Sequence, residues 1–219
     1  MLNKQKQAIE FMREKKFEEA AKLFIEIIDE NPEDPIGYIN FGNVLELMQQ
    51  HDKAERFYLK AIELDEKSAT AFVGLGKLYY GQNMLTESEK MFQHSLRLGI
   101  EDGEVFYLLG MIHVKRKDLM LAIPFLQRAD ELSEDAEIKF QYGLVLAQTN
   151  YLKEAKIVLE EVIKLKNTHA DALYNLGIIA VQENDNEVAL SYINQALDSE
   201  PNHLLAIKAK RNLLEKTDR

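Results

Sequence analysis

The chain has 219 residues, a formal net charge of −10 and no cysteine. The missing thiols exclude disulfides, thiolate catalysis and cysteine-ligated zinc, and the excess of acidic residues disfavours binding to nucleic acid or to an anionic membrane. Ten glycines and four prolines are too few for a turn-rich sandwich or barrel, whereas 46% of hydrophobic residues is enough for a core.

The start of the chain carries charge without the features of a secretory signal. The residues from Met1 to Gln7 are not followed by an apolar segment, because Glu10, Arg13 and Glu14 interrupt it. No apolar run reaches the length of about 18 residues that a membrane span needs. We therefore expect a cytoplasmic protein that does not enter a membrane.

A repeat of 34 residues runs through the chain, with one unit of 33. Each unit carries a small residue at the same place: Ala20, Ala54, Ser88, Ala122, Ala155 and Ala189. In five units a glycine stands twelve positions earlier: Gly42, Gly76, Gly110, Gly143 and Gly177. The predicted units are 1–34, 35–68, 69–102, 103–135, 136–169 and 170–203, followed by a capping helix over 204–219, and we expect them to form a single domain over 1–219.

Each unit is predicted to fold as two amphipathic helices joined by a short turn. In the second unit, apolar residues recur three and four positions apart from Pro35 to about Gln50 and again from about Asp52 to Leu64. Glycine inside a helix costs about 1 kcal/mol relative to alanine. Its recurrence at one place therefore indicates that the two helices of a unit pack closely there.

The repeated residues match a known pattern. It reads Tyr38, Phe41, Gly42, Leu45, Ala54, Tyr58 and Ala61 in the second unit, and Phe72, Leu75, Gly76, Tyr79, Ser88, Phe92 and Ser95 in the third. Over residues 1–203 the chain resembles the tetratricopeptide repeat (TPR) family. The resemblance implies an all-α fold, an α-solenoid of six helix-turn-helix repeats that forms a right-handed superhelix with a C-terminal capping helix, and a stand-alone scaffold of the bacterial type.

Some residues depart from the family pattern. Lys4 and Lys139 stand where a large apolar residue is usual, and Gly74 adds a second glycine beside Gly76. Polarity at Lys4 is expected in a terminal unit, whereas the sequence offers no clear reason for Lys139. In the capping helix, four apolar residues are predicted to cover the sixth unit: Leu205, Ile207, Leu213 and Leu214.

Residues that could carry chemistry are scattered. The five histidines have no partner at metal-ligand spacing, so no metal site is predicted, and His113 is predicted to pack in the core. The glycine-rich segment 74–81 follows no strand, which argues against a phosphate-binding loop. Paired carboxylates such as Glu18 and Glu19 belong to solvated helix faces. We predict no catalytic residue, no cofactor and no enzymatic activity.

The resemblance implies that the first helices of successive units line a concave groove that binds ligands. The predicted groove residues are Ile39, Asn43, Lys77, Tyr80, Tyr107, Met111, Val114, Phe140, Leu144, Tyr174 and Ile178. Their apolar and aromatic character suits an apolar or amphipathic peptide; the alternative is that neighbouring units cover them. Glu104, Glu137 and Asp171 are predicted at the groove rim, where they either complement helix dipoles or favour a basic partner.

These features predict a scaffold or adaptor that binds a peptide segment of a partner protein in its groove. The residues of the chaperone-tail clamp known in this family are absent, so that specificity is not predicted. Self-association is the first alternative, through Leu205, Ile207 and Leu213 or through Leu2 and Ile9. The second is an accessory subunit that positions a partner enzyme.

Overall fold

The computed structural model describes the chain from residue 2 to residue 217, and within that range it is all-α, without a strand. The helices are α1 (Leu2–Arg13), α2 (Phe17–Glu30), α3 (Pro35–Leu47), α4 (His51–Leu64), α5 (Ala69–Gly81), α6 (Leu85–Arg97), α7 (Gly103–Lys115), α8 (Leu119–Glu131), α9 (Ala136–Gln148), α10 (Leu152–Leu165), α11 (Ala170–Gln182), α12 (Asn186–Ser199) and α13 (Leu204–Thr217). None of these helices is long and apolar enough to cross a membrane. The predicted all-α fold of paired helices is confirmed.

The contacts group the chain into two larger compact parts, Met1–Glu101 and Asp102–Arg219, each made of several repeats. We call these two parts unit 1 and unit 2, and from here on each segment of 33 or 34 residues is called a repeat. Unit 1 holds α1 to α6, and unit 2 holds α7 to α13. In both units the odd-numbered helices are the first helices of the repeats and the even-numbered ones are the second helices. The side chains of Leu2 and of residues 216–219 lie outside the described residues.

The turn inside each repeat has one conformation. Six non-glycine residues adopt a left-handed backbone there, with φ between 59° and 67°: Lys15, Gln49, Asn83, Lys117, Asn150 and Asn184. After α3, for example, the amide of Gln50 donates to the carbonyl of Leu45, and that of Gln49 donates to Glu46. This pair of bonds is a Schellman motif, which satisfies the last carbonyls of the first helix before the second begins.

Close packing explains the repeated glycine and also the additional one. A Cβ atom on Gly42 would lie 2.8 Å from Cε1 of Tyr58, and a Cβ atom on Gly74 would lie 2.5 Å from the same atom. One edge of the Tyr58 ring therefore lies directly against α3 and against α5. In unit 2, the corresponding pairs are Gly110 with Leu126, Gly143 with Leu159 and Gly177 with Ile193.

Ion pairs account for the two unusual lysines. Lys139 is only 15% exposed, and its Nζ lies 3.0 Å from the Asp130 carboxylate and 2.8 Å from Glu161. Lys4 likewise contacts Glu26 at 2.6 Å and Glu30 at 2.7 Å. In both repeats the glutamate follows the lysine by 22 residues, so the second helix supplies the counter-charge for a lysine on the first.

The capping helix packs differently from the prediction. Leu213 covers the sixth repeat together with Ala206, and both are buried. Leu205, Ile207 and Leu214 are exposed, so their predicted role in this contact is wrong. Because α13 has no following second helix among the described residues, the side that such a helix would cover faces solvent.

Candidate functional site

The predicted groove residues recur at fixed places on the first helices. They occupy the fifth, ninth and twelfth positions of the repeats, which lie on one side of an α-helix because they are four and three residues apart. We call the surface formed by these positions the first-helix face. Each unit carries its own part of this face.

In unit 2, the predicted groove residues differ in exposure. Phe140 is 6% exposed and packs against the ring of His169, with the ring centroids 4.5 Å apart. The other predicted residues are half-buried: Tyr107, Met111, Val114, Leu144, Tyr174 and Ile178. Phe140 therefore supports the surface from beneath, and the half-buried side chains remain accessible to a ligand.

A first pocket of about 500 Å³ lies between the amino-terminal ends of α7 and α9. It brings together Tyr107 and two predicted rim residues, Glu104 and Glu137. Asp102 and Asp135 also line it, and their carboxylates accept hydrogen bonds from the amides of Glu104 and Glu137 as helix caps. This pocket combines an aromatic ring with four carboxylates.

A second pocket, of about 320 Å³, lies between α11 and α13. Tyr174, Ile178 and Val181 form the wall on α11; the wall on α13 consists of Leu205, Lys208, Ala209, Asn212 and Leu213. Burial raises the pKa of Tyr174, which keeps its phenol neutral. The walls present more apolar than polar surface, and Lys208 and Asn212 supply polar atoms beside the apolar side chains.

Two histidines join successive repeats, a feature missed by the sequence analysis. Nδ1 of His169 accepts a hydrogen bond from the amide of Ala172 at the start of α11, and Nδ1 of His203 accepts one from Ala206 in α13. The His203 ring packs on Tyr174, with centroids 5.3 Å apart. Each histidine thus caps one first helix and contacts an aromatic residue of the preceding first helix.

The same histidines face two of the predicted rim acids. Nε2 of His203 lies 3.1 Å from Asp171, and Nε2 of His169 lies 3.7 Å from Glu137. Since a backbone amide donates to Nδ1, the ring proton belongs on Nε2, where it points at the carboxylate. The only sequence signal is that each histidine follows its acid by 32 residues.

In unit 1, the first-helix face is more polar. Ile39 is 6% exposed, whereas Asn43, Lys77 and Tyr80 are half-buried. The Tyr58 hydroxyl, from the second helix α4, donates to Oδ1 of Asn43 at 2.6 Å and lies 3.0 Å from a Glu46 carboxylate oxygen. Burial and the nearby Glu46 both raise the pKa of Tyr58.

Among the described side chains, no group of three His, Asp or Glu residues is placed to hold a metal ion. His113 is buried, as predicted, and its ring stacks on Phe125 at 5.3 Å.

Comparison with known families agrees with this architecture. Models described as tetratricopeptide repeat match residues 35–101, 103–135, 136–169 and 170–203. The chain belongs to the tetratricopeptide repeat family. Members of this family are built for contacts with other proteins, so the first-helix face of this TPR chain is a candidate binding surface.

Similar proteins include one with a described binding site. YrrB, whose crystal structure is that of a TPR protein with an unusual peptide-binding site, is 43% identical in sequence to this chain. The two structures align with a TM-score of 0.80, and the alignment covers 87% of this chain and 99% of YrrB. PilF of Pseudomonas aeruginosa shares the fold at 16% identity, with a TM-score of 0.82 and 96% of each chain covered.

A curated relative is much longer than this chain. The human protein O-mannosyl-transferase TMTC3 is 26% identical over 206 residues, which are 92% of this chain and 22% of that protein. This chain therefore corresponds to about a fifth of TMTC3, and the likeness concerns the TPR fold.

Proposed function

We propose that this TPR chain is a non-catalytic scaffold that binds an apolar or amphipathic peptide segment of a partner protein on its first-helix face. The observation that carries the proposal is the pocket between α11 and α13, where Tyr174, Ile178 and Leu205 offer apolar walls beside Lys208 and Asn212. The peptide-binding site described for YrrB supports it. The single domain over 1–219 and the cytoplasmic location stay predictions.

The half-buried residues of unit 2 are the proposed contacts for the segment. Burying the exposed parts of Tyr107, Met111 and Leu144 would add to the contact made in the α11–α13 pocket. Apolar burial contributes about 25 cal/mol per Å², and tyrosine and methionine adapt well to peptide side chains. In unit 1 the proposed contacts are Asn43, Lys77 and Tyr80, and Ile39, which is 6% exposed, is proposed to support them from beneath as Phe140 does in unit 2.

The pocket between α7 and α9 is the proposed place for a basic residue of the same segment. A lysine or arginine there would meet the Tyr107 ring and the carboxylates of Glu104 and Glu137. A cation over an aromatic ring is worth about 0.5–1 kcal/mol at an exposed site. Asp171 is also proposed as a rim residue. Because its carboxylate lies against His203, we do not propose that it binds the basic residue of the segment directly.

Photo-crosslinking tests the proposal directly. A photoreactive phenylalanine analogue placed at Tyr174 or at Tyr107 should crosslink the same partner in the native cell, which mass spectrometry identifies. The matched control places the analogue at Ile157, an exposed apolar residue on the second helix α10. Ile178→Ser should abolish the crosslink from Tyr174 while circular dichroism stays unchanged. Equal crosslinking from Ile157, or crosslinking that survives Ile178→Ser, would show that the binding surface lies elsewhere.

Self-association is a second candidate because α13 is unusually apolar on its solvent side. Leu204 and Leu214 are exposed there, together with Ile207, and the first-repeat residue Ile9 is exposed to about the same extent as Ile207. Sedimentation at several concentrations tests this candidate. A monomer at every concentration would exclude it, and a dimer that Leu214→Lys dissociates would support it.

A further inference from the structure

The solvent side of α13 corresponds to the side that a second helix covers in the six repeats. The eighth residue of their first helices is buried there, as Ala8 or as one of the repeated glycines. A Cβ atom on Gly177, for example, would lie 2.7 Å from Cγ1 of Ile193 on α12. In α13 the eighth place is taken by Arg211, which is exposed. A position used for close contact elsewhere thus carries a long cationic side chain.

Two apolar residues flank Arg211 on the same side of α13. Ile207 stands four residues before it and Leu214 three residues after it, so the three side chains lie on one face of the helix. Ile207 is 37% and Leu214 is 46% exposed, whereas Leu45, at the place in α3 that corresponds to Leu214, is 4% exposed. We call this face, together with the half-buried Lys210 beside it, the cap face. It combines two apolar side chains with two cations.

The cations of α13 have no counter-charge among the described residues. Three basic side chains form no ion pair or hydrogen bond with another described residue: Lys208, Lys210 and Arg211. Glu215, one turn after Arg211, is exposed, and its carboxylate pairs with none of them. The carboxylates of Asp198 and Glu200, which precede α13, likewise form no such pair. Three cations and one acid give the described side chains of α13 a net charge of +2 in a chain whose total is −10.

We infer that the cap face binds an amphipathic helix of a partner protein that carries an acidic residue between two apolar ones. The carboxylate would pair with Arg211 and Lys210, and the apolar side chains would cover Ile207 and Leu214. Because Ile207 and Leu214 are separated by about 10 Å along the axis of α13, a helix with apolar residues about seven positions apart matches them. An acidic residue three or four positions from each apolar one then faces Arg211.

The charge of the cap face disfavours other occupants. A helix of the repeat type approaches the eighth position too closely for Arg211, since even a Cβ atom would clash at that place in other repeats. A second copy related by a two-fold axis would bring two Arg211 side chains together, because this residue lies at the centre of the face. A purely apolar helix would cover the guanidinium without a counter-charge. Charge complementarity therefore selects the acidic helix.

The cap face is separate from the proposed peptide groove. Ile207, Lys210, Arg211 and Leu214 do not line the pocket between α11 and α13, whose wall on α13 includes Leu205. A helix on the cap face would add one helix to the stack and leave that pocket open. The inference therefore does not depend on a segment binding to the first-helix face.

Selection from a helical peptide library tests the inference. The probe is an alanine-rich peptide of about 20 residues, long enough to form a helix in water, with two leucines seven positions apart and one position between them randomised. Selection by phage display on the full chain should retain aspartate or glutamate. On Arg211→Glu it should retain lysine or arginine instead, a reversal that loss of folding cannot produce. The affinity of the glutamate peptide should fall at least tenfold in Arg211→Glu and in Ile207→Ser/Leu214→Ser.

Matched controls identify the surface. Arg56→Glu makes the same charge change at an exposed arginine of α4 that pairs with no described residue, and Ile178→Ser alters the groove; neither should affect binding of the glutamate peptide. No retained peptide, retention of any residue at the randomised position, or equal loss in the controls would overturn the inference. A dimer in sedimentation that Leu214→Lys dissociates would assign the cap face to a second copy and overturn it as well. Binding to phosphatidylserine vesicles that requires Ile207 and Leu214 would do the same by assigning the face to a membrane.

Discussion

Replacing Lys139 by methionine tests whether its ion pairs stabilise the packing of α8, α9 and α10. Lys139→Met keeps the length and apolar stem of the side chain and removes only its charge. Asp130 is 15% exposed, so the substitution leaves a largely buried carboxylate beside Glu161 without a cation. The family pattern favours a large apolar residue at this place, which makes methionine the least disruptive neutral choice.

The exposure of the paired side chains sets limits to the expected loss of stability. An exposed ion pair contributes about 0–1 kcal/mol, whereas removing one partner of a fully buried pair costs about 3–5 kcal/mol. Lys139 and Asp130 are mostly buried, but Glu161 is half-exposed. We therefore expect Lys139→Met to lower the free energy of unfolding by about 1–3 kcal/mol, which shifts the urea midpoint by about 0.5–1 M.

Urea unfolding followed by circular dichroism measures this loss, and two further variants identify its cause. Lys4→Met is the matched control at the same repeat position, where the pairs are exposed, and it should cost much less. Adding Asp130→Asn to Lys139→Met should recover most of the stability because it removes the unpaired charge. A Lys139→Met variant as stable as the parent protein would refute the reasoning, since burial of the unpaired carboxylate would then cost nothing.

The effect should also depend on pH in a defined direction. Burial lowers the pKa of Lys139, but its hydrogen bonds to Glu161 and Asp130 raise it more, so the net shift is upward. The hydrogen bond from Lys139 holds the pKa of Glu161 below its ordinary value of 4.5. The contribution of Glu161 to stability is therefore present above pH 4.5 and is lost as the pH falls through its lowered pKa. The difference between the parent protein and Lys139→Met should narrow in that acidic range.

Two glycines and two left-handed turn residues give further predictions. Gly74→Ala should lower the free energy of unfolding by about 1–3 kcal/mol, as measured by thermal melts, since its Cβ would lie 2.5 Å from the Tyr58 ring. Gly81→Ala should be neutral or stabilising in the same measurement, because a Cβ there would have nothing within 4 Å. Gln49→Gly should raise stability by about 0.5 kcal/mol because it relieves a left-handed residue with φ of 59°. Asn83→Gly should gain less because asparagine tolerates this conformation, and equal gains would contradict that explanation.

The repeated architecture could be predicted from the sequence because it depends on periodicity. The spacing of apolar residues indicates each helix, and a glycine recurring at one position indicates close packing in every repeat. One prediction about the cap failed because it assumed that all apolar residues of α13 face the sixth repeat. The rotation of α13 about its own axis determines which of its residues face the sixth repeat, and it buries Ala206 and Leu213.

The candidate site was harder to predict because its details depend on contacts between helices. Phe140 fits the apolar pattern of a groove, yet its burial follows from the ring of His169 at the end of the same repeat, where it caps α11. The counter-ions of Lys139 lie on two other helices, so no local pattern reveals them. Asparagine at three of the six left-handed turn positions was a usable signal for those turns.

The position of Tyr58 has a consequence for how a ligand would meet unit 1. Its ring is held against Gly42 and Gly74, and its hydroxyl binds the side chain of Asn43. The carboxamide of Asn43 therefore loses its rotational entropy when the chain folds, before any ligand arrives. A peptide that hydrogen-bonds to Asn43 meets a donor and acceptor already oriented, which lowers the entropic cost of binding. Affinity at this point of the surface then depends on a second-helix tyrosine whose ring stays inside the core.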